Sequence, residues 1–311
     1  MSARWGFLFP GQLAEWIGMG RDFFESDARA RELFAATSDR CGIDLARLMF
    51  EGPEEALREN LAAQASVFLV SVLASRALAR EGVRPGATAG YSLGNYAAIV
   101  AAGGISYEEA LDVLIAVWRE TERRGIRGAM GAVIGARREA VEEECETRRA
   151  RGLDVWIGNV NASTQFVLTG SREGVDGALE ALRPRALSVL PLRMNWPIHS
   201  ELMRPVAAAI APLVASLTSV RDPKVPYYGP EGGSIRSGEG IRRVLGTAFC
   251  FPTHWKETFE AMVADGFGRF LEVGPGEMLS RMARWIDRTT RCQQAGTLAK
   301  VRAAVDIVRA E

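Results

Sequence analysis

Ser92 sits in Gly90-Tyr91-Ser92-Leu93-Gly94, a G-x-S-x-G pentapeptide. The spacing suits a nucleophile. The serine of such a segment stands on a tight turn from a strand into a helix, and the flanking glycines relieve crowding there. The turn presents the hydroxyl at the start of the helix. There the backbone N–H of Leu93 has no helical partner and can receive a developing oxyanion. The same five residues also fit an ordinary strand-to-helix turn in a chain rich in glycine and alanine. A serine nucleophile needs a base, and the chain has two histidines, His199 and His254. His199 follows the apolar, conformationally restricted Trp196-Pro197-Ile198 and precedes a helical segment. His254, in Pro252-Thr253-His254-Trp255, opens another helix, where a capping or solvent-facing role accounts for it. His199 is therefore the expected base.

The elements around these residues follow from periodicity. Trp5 to Phe9 is a short apolar run closed by Pro10-Gly11, read as a buried strand entering a loop. Helical patterns follow near Gly20 to Cys41, at Pro53 to Asn60 and from Leu61 to Glu81. The last is apolar on most faces, which marks a central buried helix. A small-residue strand from Ala87 leads into Ser92 and an alanine-rich helix. Ser106 with Glu109 reads as a capping box for a helix from Tyr107 to Arg124. Then come a strand at Ala129 to Ile134, a charged helix at Arg137 to Arg149, and strands at Val155 to Asn161 and Phe166 to Thr169. A helix at Val175 to Leu182 and a strand at Ala186 to Leu192 complete the series. This β-α-β-β-α-β order over about 126–198 is the ferredoxin-like pattern. Helices at Ser200 to Leu217, Ile241 to Gly246 and His254 to Asp265 follow, then a strand at Phe270 to Val273.

Composition removes several function classes. Hydrophobic residues make up 48% of the 311 and charged ones 24%, values of a globular chain and not a disordered one. Basic and acidic residues balance at 38 each, so no net field draws in nucleic acid or a membrane surface. Cys41, Cys145, Cys250 and Cys292 are far apart and show no metal-ligand spacing, so no metal site is expected. The absence of a disulfide framework fits a reducing cytoplasm. The start of the chain lacks the basic-then-apolar layout of a signal peptide, and the apolar stretch Val67 to Ala74 is too short for a membrane span.

Four segments, taken together and in order, carry a resemblance. Phe9-Pro10-Gly11-Gln12, Gly90-Tyr91-Ser92-Leu93-Gly94, Pro197-Ile198-His199-Ser200 and Glu272-Val273-Gly274-Pro275-Gly276 resemble the malonyl-CoA:acyl-carrier-protein transacylases and the acyltransferase domains of polyketide synthases. Gln64, Gly128-Ala129-Met130 and Asn161 add to the match, which covers essentially the whole chain. The resemblance implies an α/β fold. An α/β-hydrolase-like large subdomain would span 1–125 and 199–311, with a ferredoxin-like small subdomain inserted at 126–198. It implies ping-pong acyl transfer through an ester on Ser92, with His199 as base. Backbone N–H groups of Gln12 and Leu93 would form the oxyanion hole, and a main-chain carbonyl would orient the histidine. Acyl-CoA and the phosphopantetheine arm of an acyl carrier protein would be substrates, so no cofactor is expected. The protein is expected to act as a monomer in polyketide or fatty-acid biosynthesis.

The departures bear on the acyl group. Tyr91 stands where the family has histidine, Asn95 where it has glutamate, and Leu13 where it has glycine. Counting 25 residues from Ser92, to the arginine that grips the malonyl carboxylate, lands on Val117, followed by Trp118. Arg119 is two residues further on, about 200° around a helix. A family glutamine is lost near Ala248. Tyr91, Val117, Trp118, Asn161 and Trp196 are therefore the expected substrate-binding residues, forming an apolar, aromatic pocket for an acyl group without a terminal carboxylate. A standard malonyl transacylase and an editing hydrolase of the same fold are the alternatives. A plain esterase would show an acidic residue before its histidine and a glycine-rich oxyanion loop. A non-catalytic binding module would not retain both Ser92 and His199. Arg123, Arg124, Arg127, Arg183 and Arg185 could offer an acidic carrier protein a docking patch, or be a solvated face.

Overall fold

The computed structural model describes residues 4–311. Its strands are β1 (Trp5–Phe9), β2 (Ala87–Gly90), β3 (Ala129–Ile134), β4 (Val155–Ala162), β5 (Gln165–Gly170), β6 (Ser188–Pro191), β7 (Tyr227–Tyr228), β8 (Ser234–Ile235), β9 (Arg269–Glu272) and β10 (Arg291–Gln294). They form two sheets. The larger has the order β10-β9-β1-β2-β7-β8, parallel throughout except for the terminal β7–β8 pair. Its central strands are buried along their whole length, as a parallel sheet covered on both faces requires. β1 and β2 pair in register, Phe9 opposite Gly90. Their carboxyl ends therefore deliver Gln12 and Ser92 to the same edge of the sheet, the usual place for a site in such folds.

The helix Asn60–Arg80 packs across this sheet and is buried over most of its length. It is long and apolar enough to cross a bilayer, yet 83% of its most apolar stretch is enclosed by protein, so it is a core helix. The smaller sheet has the order β4-β5-β3-β6, antiparallel throughout, with the helices Arg138–Arg149 and Arg172–Leu182 packed on it. This is the ferredoxin-like arrangement, and it closes around its own apolar cluster of Val133, Val155, Phe166, Leu168, Val175 and Leu182. Backbone bonds are among its ties to the larger unit. Val160 N–H donates to Thr253 O at 2.9 Å and Thr253 N–H to Gly158 O at 2.8 Å.

Several elements differ from the periodicity reading. The segment Gly20 to Cys41 is two helices, Arg21–Ser26 and Ala28–Cys41. Extended Asp27 interrupts them and caps the second through the N–H of Arg29. In the next segment Glu54–Leu57 is helical, and Asn60 already opens the long core helix. The helix Leu45–Glu51, the strand β10 and the helix Leu298–Ala310 were not foreseen. Ser106 does cap the helix Tyr107–Arg123, accepting from Glu109 N–H, but Glu109 does not return the bond. Its carboxylate instead takes the N–H and hydroxyl groups of Thr218 and Ser219. These four bonds hold its pKa down to about 2 although burial opposes them.

Candidate active site

β2 ends at Gly90, and the chain turns through Ser92 with φ +53°, into the helix Gly94–Ala101. The turn is tight enough to exclude side chains beside it. A Cβ on Gly94 would lie 2.0 Å from the Phe9 carbonyl oxygen, and one on Gly90 2.2 Å from Asn95 N. The glycines of the pentapeptide are thus forced by the packing of the turn against β1. Among the described residues, neither Leu93 N–H nor Gln12 N–H has an acceptor within the chain, so both remain available to a ligand.

His199 is buried, and it too is left-handed, with φ +67°. Non-glycine residues in this region cost of order 1–3 kcal/mol each and persist only where the surroundings impose them. Here its N–H donates to Phe249 O at 2.8 Å. The ring bridges two elements. Nε2 lies 2.7 Å from Ser92 Oγ, while Nδ1 faces the carbonyl oxygens of Phe251 at 3.0 Å and Ala248 at 3.2 Å. Carbonyls only accept, so Nδ1 carries the proton and Nε2 offers its lone pair to the serine. Burial lowers the pKa of the ring to about 4, and the two carbonyls offset this only in part. The imidazole is therefore neutral near pH 7 and competent as a base. Among the described residues no carboxylate orients it.

Behind the Gln12 loop runs a chain of side-chain amides. Gln64 Nε2 donates to Gln12 Oε1 at 3.2 Å, Gln12 Nε2 to Asn60 Oδ1 at 3.3 Å, and Asn60 Nδ2 to Asn195 Oδ1 at 2.8 Å. It fixes Gln12 to the core helix and to the segment that leads into His199. Leu13, directly after Gln12, has φ +74°, and its N–H donates to Glu15 Oε2 at 2.8 Å. Glu272, in the last of the four motifs, is buried. It caps the helix Met278–Ile286 by accepting from Leu279 N–H, Ser280 N–H and the Ser280 hydroxyl.

The cleft at Ser92 encloses about 640 Å³ of empty space, its open mouth included. Val117 lines it, joined by Leu114, Leu245, Ala248 and Phe249. The other expected pocket residues lie elsewhere. Trp118 packs on the core at the edge of its helix, outside the cleft, and Arg119 is exposed to solvent. Trp196 is fully buried, its indole N–H donating to Glu122 at 3.1 Å; its neighbours Met194 and Ile198 face the cleft instead. Tyr91 points opposite to Ser92, its ring edge-on to Trp255 at 5.7 Å, with Asn161 against its phenol. Both Tyr91 and Asn161 are buried and neither reaches the cleft. His254 opens the helix Trp255–Ala264 without a side-chain cap bond, 3.9 Å from Glu257, and also lies outside the cleft. The five arginines of the suggested docking patch are all paired with acids: Arg123 and Arg124 with Glu120, Arg127 with Glu122, Arg183 with Glu180, Arg185 with Glu143. Asn60, Asn195 and Tyr96 were missed. Tyr96 was within reach of sequence reasoning, because it stands in the first turn of the helix that follows Ser92.

A serine raised on a strand-to-helix turn, bonded to a neutral histidine and facing two free N–H groups, defines a serine-dependent acyl-transfer enzyme. The family model for the acyl transferase domain matches residues 6–282, and the chain belongs to that family. The malonyl CoA-acyl carrier protein transacylase of Escherichia coli (strain K12) is 31% identical over 316 residues, covering 98% of this chain and 99% of the relative. The solved structure of the malonyl CoA-acyl carrier protein transacylase from Coxiella burnetii has a TM-score of 0.93 at 29% identity, over 99% of this chain and 98% of that one. A malonyl-transacylase solved in complex with its type II PKS acyl-carrier protein has a TM-score of 0.92 at 30% identity, over 98% and 100% of the two chains.

Proposed function

We propose that this chain moves an acyl group without a terminal carboxylate onto the phosphopantetheine thiol of an acyl carrier protein, through an ester on Ser92. Ser92 Oγ attacks the thioester carbonyl as its proton passes to His199 Nε2. The N–H groups of Gln12 and Leu93 hold the oxyanion. Collapse breaks the C–S bond, and His199 returns the proton to the departing thiol. The carrier thiol then gives its proton to His199, attacks the ester and regenerates Ser92. The carrier protein as acceptor is supported by the names of the relatives and by the malonyl-transacylase captured with its carrier protein.

The acyl class rests on one observation: no residue lining the cleft is Arg or Lys. A malonyl carboxylate taken into this space would lose water and gain no cation, a cost of several kcal/mol. Val117 occupies the expected place of the clamp, and Arg119 faces solvent. Incubation with malonyl-, acetyl- and butyryl-CoA, followed by intact-protein mass measurement, tests the assignment. Acetyl or butyryl should label the protein at least about tenfold faster than malonyl, and Ser92→Ala should abolish labelling. Preferential malonyl labelling would refute the acyl class, and labelling of Ser92→Ala would refute the nucleophile. Release of the acyl group to water in the presence of carrier protein would make the chain a hydrolase instead.

A further inference from the structure

The cleft is neutral, but it is not uniformly apolar. Three uncharged polar side chains line it with hydrogen-bonding capacity unspent. Gln64 gives one N–H to Gln12, and its Oε1 has no partner among the described residues. Asn95 uses Oδ1 to accept from the Tyr227 hydroxyl at 2.6 Å, leaving its Nδ2 donors free. The Tyr96 hydroxyl makes no hydrogen bond among the described residues, and burial pushes its pKa far above the usual phenol value, so it stays a neutral donor. Its ring is nonetheless partly accessible, because it faces the cleft. Leu114, Val117, Leu245 and Phe249 supply the apolar wall. Their free atoms open onto the cleft and are not sealed from water. A ligand that displaces that water must supply uncharged acceptors and donors to keep them paired.

Their position along the chain sets where on the ligand those groups must be. Ser92 precedes the helix Gly94–Ala101, and Asn95 and Tyr96 lie in its first turn, three and four residues further on. An acyl carbon bonded to Ser92 Oγ places its C3 substituent within that turn. We propose that the cleft is built for acyl groups bearing an uncharged oxygen at C3, that is, 3-hydroxyacyl or 3-oxoacyl thioesters. This rests on the reading of a non-carboxylated substrate and narrows it. A plain alkyl chain of the same length would fill the wall but leave Gln64, Asn95 and Tyr96 unpaired, and a site with buried polar groups rejects the analogue that lacks their partner.

The test is a single-turnover acylation of the intact protein by butyryl-, 3-hydroxybutyryl-, acetoacetyl- and malonyl-CoA, read by mass. 3-Hydroxybutyryl or acetoacetyl should acylate Ser92 at least about tenfold faster than butyryl. Tyr96→Phe and Gln64→Met should each shrink that ratio severalfold. Butyryl as fast as both oxygenated chains would overturn this inference while leaving the non-carboxylated reading in place. Malonyl fastest of the four would overturn the reading beneath it. The wild-type panel decides the substrate class even if a variant fails to fold. A ratio unmoved in both folded variants would overturn the roles given to Tyr96 and Gln64.

Discussion

Leu13 is a leucine in a conformation that favours glycine, one residue from Gln12, the proposed oxyanion donor, and Glu15 holds it there. Left-handed backbone costs a non-glycine residue about 1–2 kcal/mol. The Leu13 side chain recovers little of this, being 44% exposed. The bond from Leu13 N–H to Glu15 Oε2 is charge-assisted and partly exposed, worth about 1 kcal/mol, close to the strain it opposes. Removing it with Glu15→Leu should therefore let the loop relax and carry the Gln12 N–H out of line. Losing one oxyanion donor costs about 10²–10³ in rate; a loop that is misplaced only part of the time should cost about 10–100-fold. Leu13→Gly removes the need for the clasp, since glycine takes positive φ freely, at an unfolded-state cost of about 0.5–1 kcal/mol that roughly cancels the relieved strain. The assay is single-turnover acylation of Ser92 in a four-member cycle: wild type, Leu13→Gly, Glu15→Leu and the double variant, each with its thermal midpoint. The double variant should recover most of the rate lost in Glu15→Leu, and Glu15→Gln, which keeps an acceptor, should lose little. Midpoints should shift by no more than about 2–4 °C. A rate loss for Glu15→Leu below twofold, or an equal loss in the Leu13→Gly background, would refute the reasoning.

His199→Ala should slow acylation by about 10²–10⁴, the range for a positioned general base, whereas His254→Ala should leave it nearly unchanged; rate measurements on both variants separate the two histidines. Because the His199 pKa is lowered to about 4 by burial, the acylation rate should stay level from pH 8 to about 5 and fall only near pH 4, so a rate inflection near 6.5 would contradict the buried ring. The folded ring resists a proton that the unfolded one accepts near pH 6.5. Its contribution to stability is accordingly full above that pH and is lost as pH falls towards 4, which denaturant titrations across that window would read.

Ser92 and His199 were legible because each is marked locally, one by flanking glycines and the other by being one of two histidines. The ferredoxin-like order was legible because each of its strands and helices carries its own periodicity. Gln12 came only from resemblance, since a backbone donor leaves no trace in residue type. Aromatic residues misled in the pocket. Trp118, Trp196 and Tyr91 are large and apolar, but residue type does not say which face they occupy. Trp196 turned to Glu122 and Tyr91 to Trp255. The bond from Asn60 to Asn195 joins residues 135 apart, and no local pattern encodes such a contact. The break at Asp27 was missed because helical periodicity continues on both sides of it, while extended backbone at one residue is enough to end a helix.

Gly128 N–H donates to Asn195 O at 2.9 Å, so the two ends of the stretch that carries β3 to β6 leave the molecule side by side. A segment with adjacent ends and its own apolar cluster can be exchanged between relatives as a cassette without reordering the parallel sheet. The exchange would not be neutral for chemistry. The outgoing end carries Met194, which walls the cleft, just before the seam, and Ile198 and His199 line the same cleft just after it. Recombination at this seam would thus carry Met194, one side chain of the cleft wall, across with the cassette, while Ser92, the Gln12 loop and His199 stayed with the host. Lineages built by such shuffling would inherit one edge of the cleft from one parent, and Ser92, His199 and the rest of the apolar wall from the other.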